Sequence, residues 1–241
     1  MTVAHHIATH YLSVGYGKHK VLCNISLRVE APSFILLAGR NGSGKSTLLR
    51  TLLGLIECLD GDIQISGASI NAMTALQRSK LIGYVSSKPF AINNFKVAQV
   101  VATGRAPYTN WTNVLNNNDK FLIEKAISDL KIENIADKKT DAISDGERQK
   151  TMIARALAQN TPIIILDEPT AFLDYPSKKD LITMLQRLVS EHNKIVISSS
   201  HDLDLLIPVV NNIWFCNKQL VYSDTPENMM QYDDFKMFYN K

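Results

Sequence analysis

The chain has 241 residues, 45% apolar and 20% charged, with 26 basic against 23 acidic side chains for a net charge of +3. That balance suits a folded globular protein with a large core, argues against disorder, and gives no reason to expect nucleic acid as a partner. Cys23, Cys58 and Cys216 are scattered and odd in number, no apolar run could span a bilayer, and "MTVAHHIATHYLSV" lacks a signal-peptide pattern, so a reducing cytoplasm is expected.

In chain order, the N-terminal part reads as sheet. In "VLCNISLRVE", Val21, Cys23, Ile25, Leu27 and Val29 alternate with mostly polar neighbours, the period of one half-buried strand. "GDIQISG" (61–67) repeats the pattern more briefly. "FILLA" (34–38), "IIIL" (163–166) and "IVISSS" (195–200) do not alternate, as expected of central parallel strands covered on both faces. The stretch 88–158 offers no strong strand. In "NNNDKFLIEKAISDLKI" (116–132), Ile123, Ile127 and Leu130 share one helical face, and the region reads as a helical insertion. After Ser177, a plausible N-cap, Leu181, Met184, Leu185 and Leu188 form an apolar stripe. "IWFCNKQLVY" predicts a final hairpin, and "TPEN" a Thr cap with Pro opening a last helix. The expectation is one α/β unit. A mostly parallel core spans 1–87 and 159–241, with an N-terminal antiparallel β subdomain and a helical subdomain over about 88–158.

"GRNGSGKST" (39–47) follows one predicted strand and precedes an apolar helix, the setting a phosphate-binding loop needs. Gly39, Gly42 and Gly44 let the backbone turn tightly so that its N–H groups face inward at a helix start. Lys45 is placed to reach the β- and γ-phosphates, and Ser46 to bind magnesium. "IIILDEPT" (163–170) brings Asp167 to the end of a second buried strand as a magnesium ligand, with Glu168 beside it to polarise an attacking water. His201, in "SSSHDL", stands at the carboxyl end of a third strand, where such sheets bind ligands. In "AISDGERQK" (142–150), Ser144 and Glu147 have the spacing of a capping box.

Together these pieces resemble the ATP-binding subunit of ABC transporters over nearly the whole chain. "GRNGSGKST" looks like the Walker A loop, including Asn41, Ser43 and Thr47, and "IIILDEPT" like Walker B. "ISDGERQK" resembles the family signature, "AFLD" the D-loop ending at Asp174, and His201 the switch histidine. Tyr16 sits where the family stacks an aromatic ring on adenine. The resemblance implies an ATPase using ATP and magnesium, with Lys45, Glu168 and His201 in catalysis. It also implies a head-to-tail homodimer in the ATP state, in which Ser144, Asp145, Gly146 and Glu147 face the other subunit's nucleotide. Membrane permease subunits and a substrate-binding protein follow as partners, with the chain on the cytoplasmic face of the membrane.

"FKVAQVVATGRAPYTNW" (95–111) resembles a stretch of the ATPases that drive iron-siderophore, haem and cobalamin importers. A soluble ABC ATPase, such as a scaffold for iron–sulfur cluster assembly, is the alternative. Two positions depart from the family. Ser87, in "GYVSS", stands where a glutamine normally touches magnesium, and Gln99 is no stand-in because it belongs to the importer-like segment. Asp145 replaces the first signature glycine.

Overall fold

The computed structural model describes residues 5–110 and 114–240. The first four residues and Trp111, which closes the importer-like segment, lie outside them. Strands β1 (His6–Tyr16), β2 (His19–Ile25), β3 (Arg28–Glu30) and β4 (Ser33–Gly39) lead into helix α1 (Lys45–Leu52). Then come β5 (Asp60–Ile65), β6 (Ala68–Ser69), α2 (Ala75–Leu81) and β7 (Ile82–Val85). Helices α3 (Val97–Ala102), α4 (Asn117–Asp129) and α5 (Asp145–Gln159) follow, with a 3-10 turn at Thr103–Tyr108. The chain closes with β8 (Ile163–Asp167), α6 (Tyr175–His192), β9 (Ile195–Ser199), α7 (Leu203–Leu206), β10 (Asn212–Asn217), β11 (Leu220–Asp224), α8 (Pro226–Met229) and α9 (Asp233–Tyr239).

Two sheets result. An antiparallel one runs β2–β1–β5–β6 with β3 beside β1. The larger runs β11–β10–β4–β9–β8–β7, parallel except for its edge strand β11. The apolar runs fail to alternate in polarity because each face of this sheet has its own core. Phe34, Leu36, Ile164, Leu166 and Val196 pack with the helices on one face. Ile35, Leu37, Ile163, Ile165 and Ile197 pack with the antiparallel sheet and α1 on the other.

Three expectations need correction. "VLCNISLRVE" is two strands, and the buried set changes phase within it. Asn24 adopts φ 53, a conformation Asn tolerates better than most side chains. Leu22 therefore turns inward opposite Val14, while Val21 and Cys23 are only partly buried. Helix α6 begins two residues before Ser177. Its cap is Asp174, which accepts the Ser177 N–H at 3.1 Å, with Pro176 in the first turn. Thr225 does cap α8, but α9 follows, held by the fully buried Phe235 edge-on to Phe215 with ring centroids 5.1 Å apart.

Candidate functional site

The loop between β4 and α1 is shaped by contact as well as by conformation. Gly44 has φ 98, and a Cβ there would lie 2.7 Å from Val21 Cγ1, so only glycine fits. The first turn of α1 has no side-chain cap, leaving its N–H groups to a ligand. The buried Lys45 ammonium donates to the Gly39 carbonyl at 2.7 Å and the Arg40 carbonyl at 3.3 Å. Asn41, Gly42, Gly44, Lys45, Ser46 and Thr47 line a cavity of about 290 Å³, and Ser87, Asp167, Glu168 and His201 close it from the other strands. Gly39 and Ser43 belong to the same loop, where a Cβ on Gly39 would lie 2.6 Å from the buried Ser43 hydroxyl.

Asp167 is buried at the end of β8. Its Oδ1 accepts the Ser199 hydroxyl at 2.7 Å, while Oδ2 is buried with no hydrogen-bond partner. An orphaned carboxylate oxygen sharing a cavity with the Ser46 hydroxyl is a donor set that fits a hard cation such as magnesium. Glu168 follows at φ 50. Its Oε1 lies 3.4 Å from His201 Nε2, which is also 3.0 Å from Asn41 Oδ1. Burial pushes the Glu168 carboxyl above its ordinary value. His201 and Lys45 pull it down, Asp167 pushes it up, and the net shift is upward. A carboxylate so placed is a stronger base than one in water.

The other predicted residues lie outside this cavity. Ser144 caps α5 and the capping box is complete. Ser144 Oγ accepts the Glu147 N–H at 3.2 Å, and Glu147 accepts the Ser144 N–H at 2.8 Å. The Ser144 N–H and hydroxyl, both donating to Glu147 Oε2, hold its carboxyl below its usual value. Asp145 is salt-bridged to Arg148, which also donates to the carbonyls of Thr140 and Ile143 at 3.0 and 2.7 Å. Gly146 is packed so closely that a Cβ would lie 2.8 Å from the Phe172 carbonyl. The signature helix thus rests on the segment ending at Asp174. Tyr16 is half exposed at the end of β1, where its hydroxyl and that of Tyr84 interact with Arg50 on α1. Gln99 caps α3, accepting the Lys96 N–H at 2.9 Å.

In the importer-like segment, Arg105 is buried. It donates to Asp119 Oδ1 at 2.8 Å and to the carbonyls of Ala158 and Gln159, at the end of α5, at 2.9 and 3.1 Å. Tyr108 covers the guanidinium, with the ring centre 4.0 Å away. A Cβ on Gly104 would lie 2.2 Å from the Arg155 carbonyl. Nothing in the linear pattern pointed to this structural duty.

Comparison with known proteins agrees with the geometry. Residues 22–171 match the family model described as ABC transporter. The chain is 32% identical over 228 residues to the probable siderophore transport system ATP-binding protein YusV of Bacillus subtilis, covering 94% of this chain and 83% of that one. It is 34% identical over 197 residues to the ferric enterobactin transport ATP-binding protein FepC of Escherichia coli, covering 80% and 71%. In fold it matches the dimeric, post-hydrolysis structure of the ATP-binding cassette MJ0796 bound to ADP and phosphate, with a TM-score of 0.81 and 23% identity, covering 91% and 98%. A loop shaped to cradle phosphate, two carboxylates facing it and a family model spanning both lead to one assignment: this chain belongs to the ABC transporter family, as an ATP-binding subunit.

Proposed function

We propose that the chain is the ATP-hydrolysing subunit of an importer of iron chelates. The ATPase part of the reading rests on the cavity where the phosphate loop, Asp167, Glu168 and His201 meet, and the cargo part is supported by the likeness to siderophore-transport ATP-binding proteins. ATP binds with its phosphates over the loop N–H groups and Lys45, and its adenine on Tyr16. Glu168 accepts the proton of the attacking water, and His201, beside it, contacts the γ-phosphate. Ser46 and Asp167 would hold magnesium, which would offset the charge on the phosphates.

A second copy, head to tail, presents Ser144, Asp145, Gly146, Glu147 and the start of α5 to the γ-phosphate, with Asp174 at the seam between subunits. Permease subunits and a substrate-binding protein complete the assembly, with this chain on the cytoplasmic face of the membrane. No helix among the described residues is long and apolar enough to cross a membrane, and in this reading passage is the permease's part. Each chain works as one ATPase unit, with a core of 1–87 and 159–241 and a helical arm of about 88–158.

The test is Glu168→Gln. It should keep ATP affinity while lowering hydrolysis by about 100- to 10,000-fold, and in the cell that makes the protein it should stop uptake of radiolabelled ferric siderophore. Parental hydrolysis would remove Glu168 from its role. Loss of hydrolysis with unchanged uptake would remove the transport reading alone.

A further inference from the structure

Ser199, at the end of β9, is fully buried and lies in register with Asp167 at the end of β8. Its hydroxyl makes two hydrogen bonds of opposite sense. A carboxylate can only accept, so the Ser199 proton goes to Asp167 Oδ1, 2.7 Å away. The lone pairs of the same oxygen then take the Glu168 N–H at 2.9 Å. We propose that Ser199 is a positioning residue for ATP hydrolysis, its one hydroxyl fixing the metal-binding carboxylate and the catalytic carboxylate relative to each other. The proposal rests on the roles given above to Asp167 and Glu168.

Three observations carry it. With Oδ1 engaged by Ser199, the buried and unpartnered Oδ2 is the oxygen of Asp167 left for a cation. Hydrogen bonds of this kind orient a ligating carboxylate and tune its hold on metal. Glu168 sits at φ 50, a conformation that is costly for a non-glycine residue and persists only where the surroundings enforce it. Enforcement here comes through its N–H, which meets Ser199 Oγ at 2.9 Å and the Ser199 carbonyl at 3.2 Å. Finally, the hydroxyls on either side are committed elsewhere. Ser198 Oγ donates to the Ser199 carbonyl at 3.4 Å, and Ser200 Oγ accepts the Asp202 N–H at 3.0 Å and lies 3.2 Å from Thr170 Oγ1. Within "SSS", the bridge between the two carboxylate residues is made by the middle serine.

The experiment compares Ser199→Thr with Ser199→Val. These side chains have the same shape and differ in the hydroxyl, so crowding by the added methyl cancels between them. Ser199→Ala adds no bulk and carries the test if both branched variants fail to fold. Val and Ala should lower kcat by about 10- to 100-fold with KM for ATP little changed, and Thr should stay near the parent. A second readout needs no turnover: binding of a fluorescent ATP analogue with and without magnesium. Parent and Thr should gain affinity when magnesium is added, whereas Val and Ala should lose that gain and keep the metal-free affinity. Val matching Thr in both measurements would overturn the proposal, as would an Ala variant that keeps parental kcat and magnesium response. So would equal losses of affinity with and without metal. Asp167→Asn and Glu168→Gln, run alongside, separate the two levels. If they are impaired while the Ser199 variants are not, only the bridge is wrong. If they match the parent, the carboxylate roles fail and the bridge fails with them.

Discussion

A buried lysine illustrates how a side chain outside the nucleotide site reports on the fold. Lys194 donates to the Thr161 carbonyl at 2.6 Å and to Asn160 Oδ1 at 3.1 Å, and burial pulls its pKa down from 10.5 to about 8. The folded value is the lower one, so between about pH 8 and 10.5 the unfolded chain binds more protons and stability rises with pH. Below pH 8 both states are charged and the cost of burying the ammonium is fully present. Lys194→Met should therefore compare best with the parent at neutral pH and lose ground as pH rises toward 10. The difference in Tm between the two proteins should fall by about 2–4 °C or more across that range. A difference that is flat or grows would contradict a charged, buried Lys194. Legibility at this scale follows chain distance. The phosphate loop, Asp167–Glu168 and the Ser144–Glu147 box could be read because each is complete within a few consecutive residues. Ser199 could not, because its duty depends on register with a strand 32 residues earlier in the chain.

Helix α5 shows what an element requires beyond its own sequence. Its start is capped locally, and Arg148 ties its first turn to the preceding loop. Its end depends on a residue from another segment, Arg105, whose guanidinium meets the last carbonyls and the buried Asp119. Charge of this sign is favoured at a helix C-terminus. Arg105→Ala would leave Asp119 buried without its cation, a loss of about 3–5 kcal/mol that should lower Tm by about 10 °C. Adding Asp119→Ala should recover part of it, because the uncompensated charge is gone; a double variant less stable than Arg105→Ala would mean that the pair is not coupled in this way. The phase change in "VLCNISLRVE" and the early start of α6 escaped the sequence for a related reason. A single Asn in a left-handed conformation and a cap supplied by Asp174 each outweigh a periodic pattern.

For the whole molecule, the state to test is the proposed ATP-bound dimer, in which two 26.9 kDa chains would clamp together. Asp145 carries a negative charge at the start of α5, and a charge about 8 Å from the γ-phosphate would be repelled by roughly 2 kcal/mol at an effective dielectric near 20. Arg148, salt-bridged to it, offsets much of that repulsion. Asp145→Gly removes the carboxylate and leaves the Arg148 charge uncompensated, so in the Glu168→Gln background it should shift light-scattering mass toward the dimer at lower ATP, most clearly at low salt. A glycine variant that dimerises no better would make Asp145 only a helix-start residue. The two sheets, the inserted helices and the parallel core were legible as a class, because runs buried on both faces and a loop of fixed spacing are strong local signals. The two segregated cores and the packing of α5 against residues 104–105 were not, since they arise only when distant segments meet. That last packing bears on how such chains are sorted. Gly104 and Arg105 lie within the helical arm, packed on the end of α5 and outside the nucleotide cavity. A search keyed on them therefore selects for a way of packing these helices and not for a contact with nucleotide.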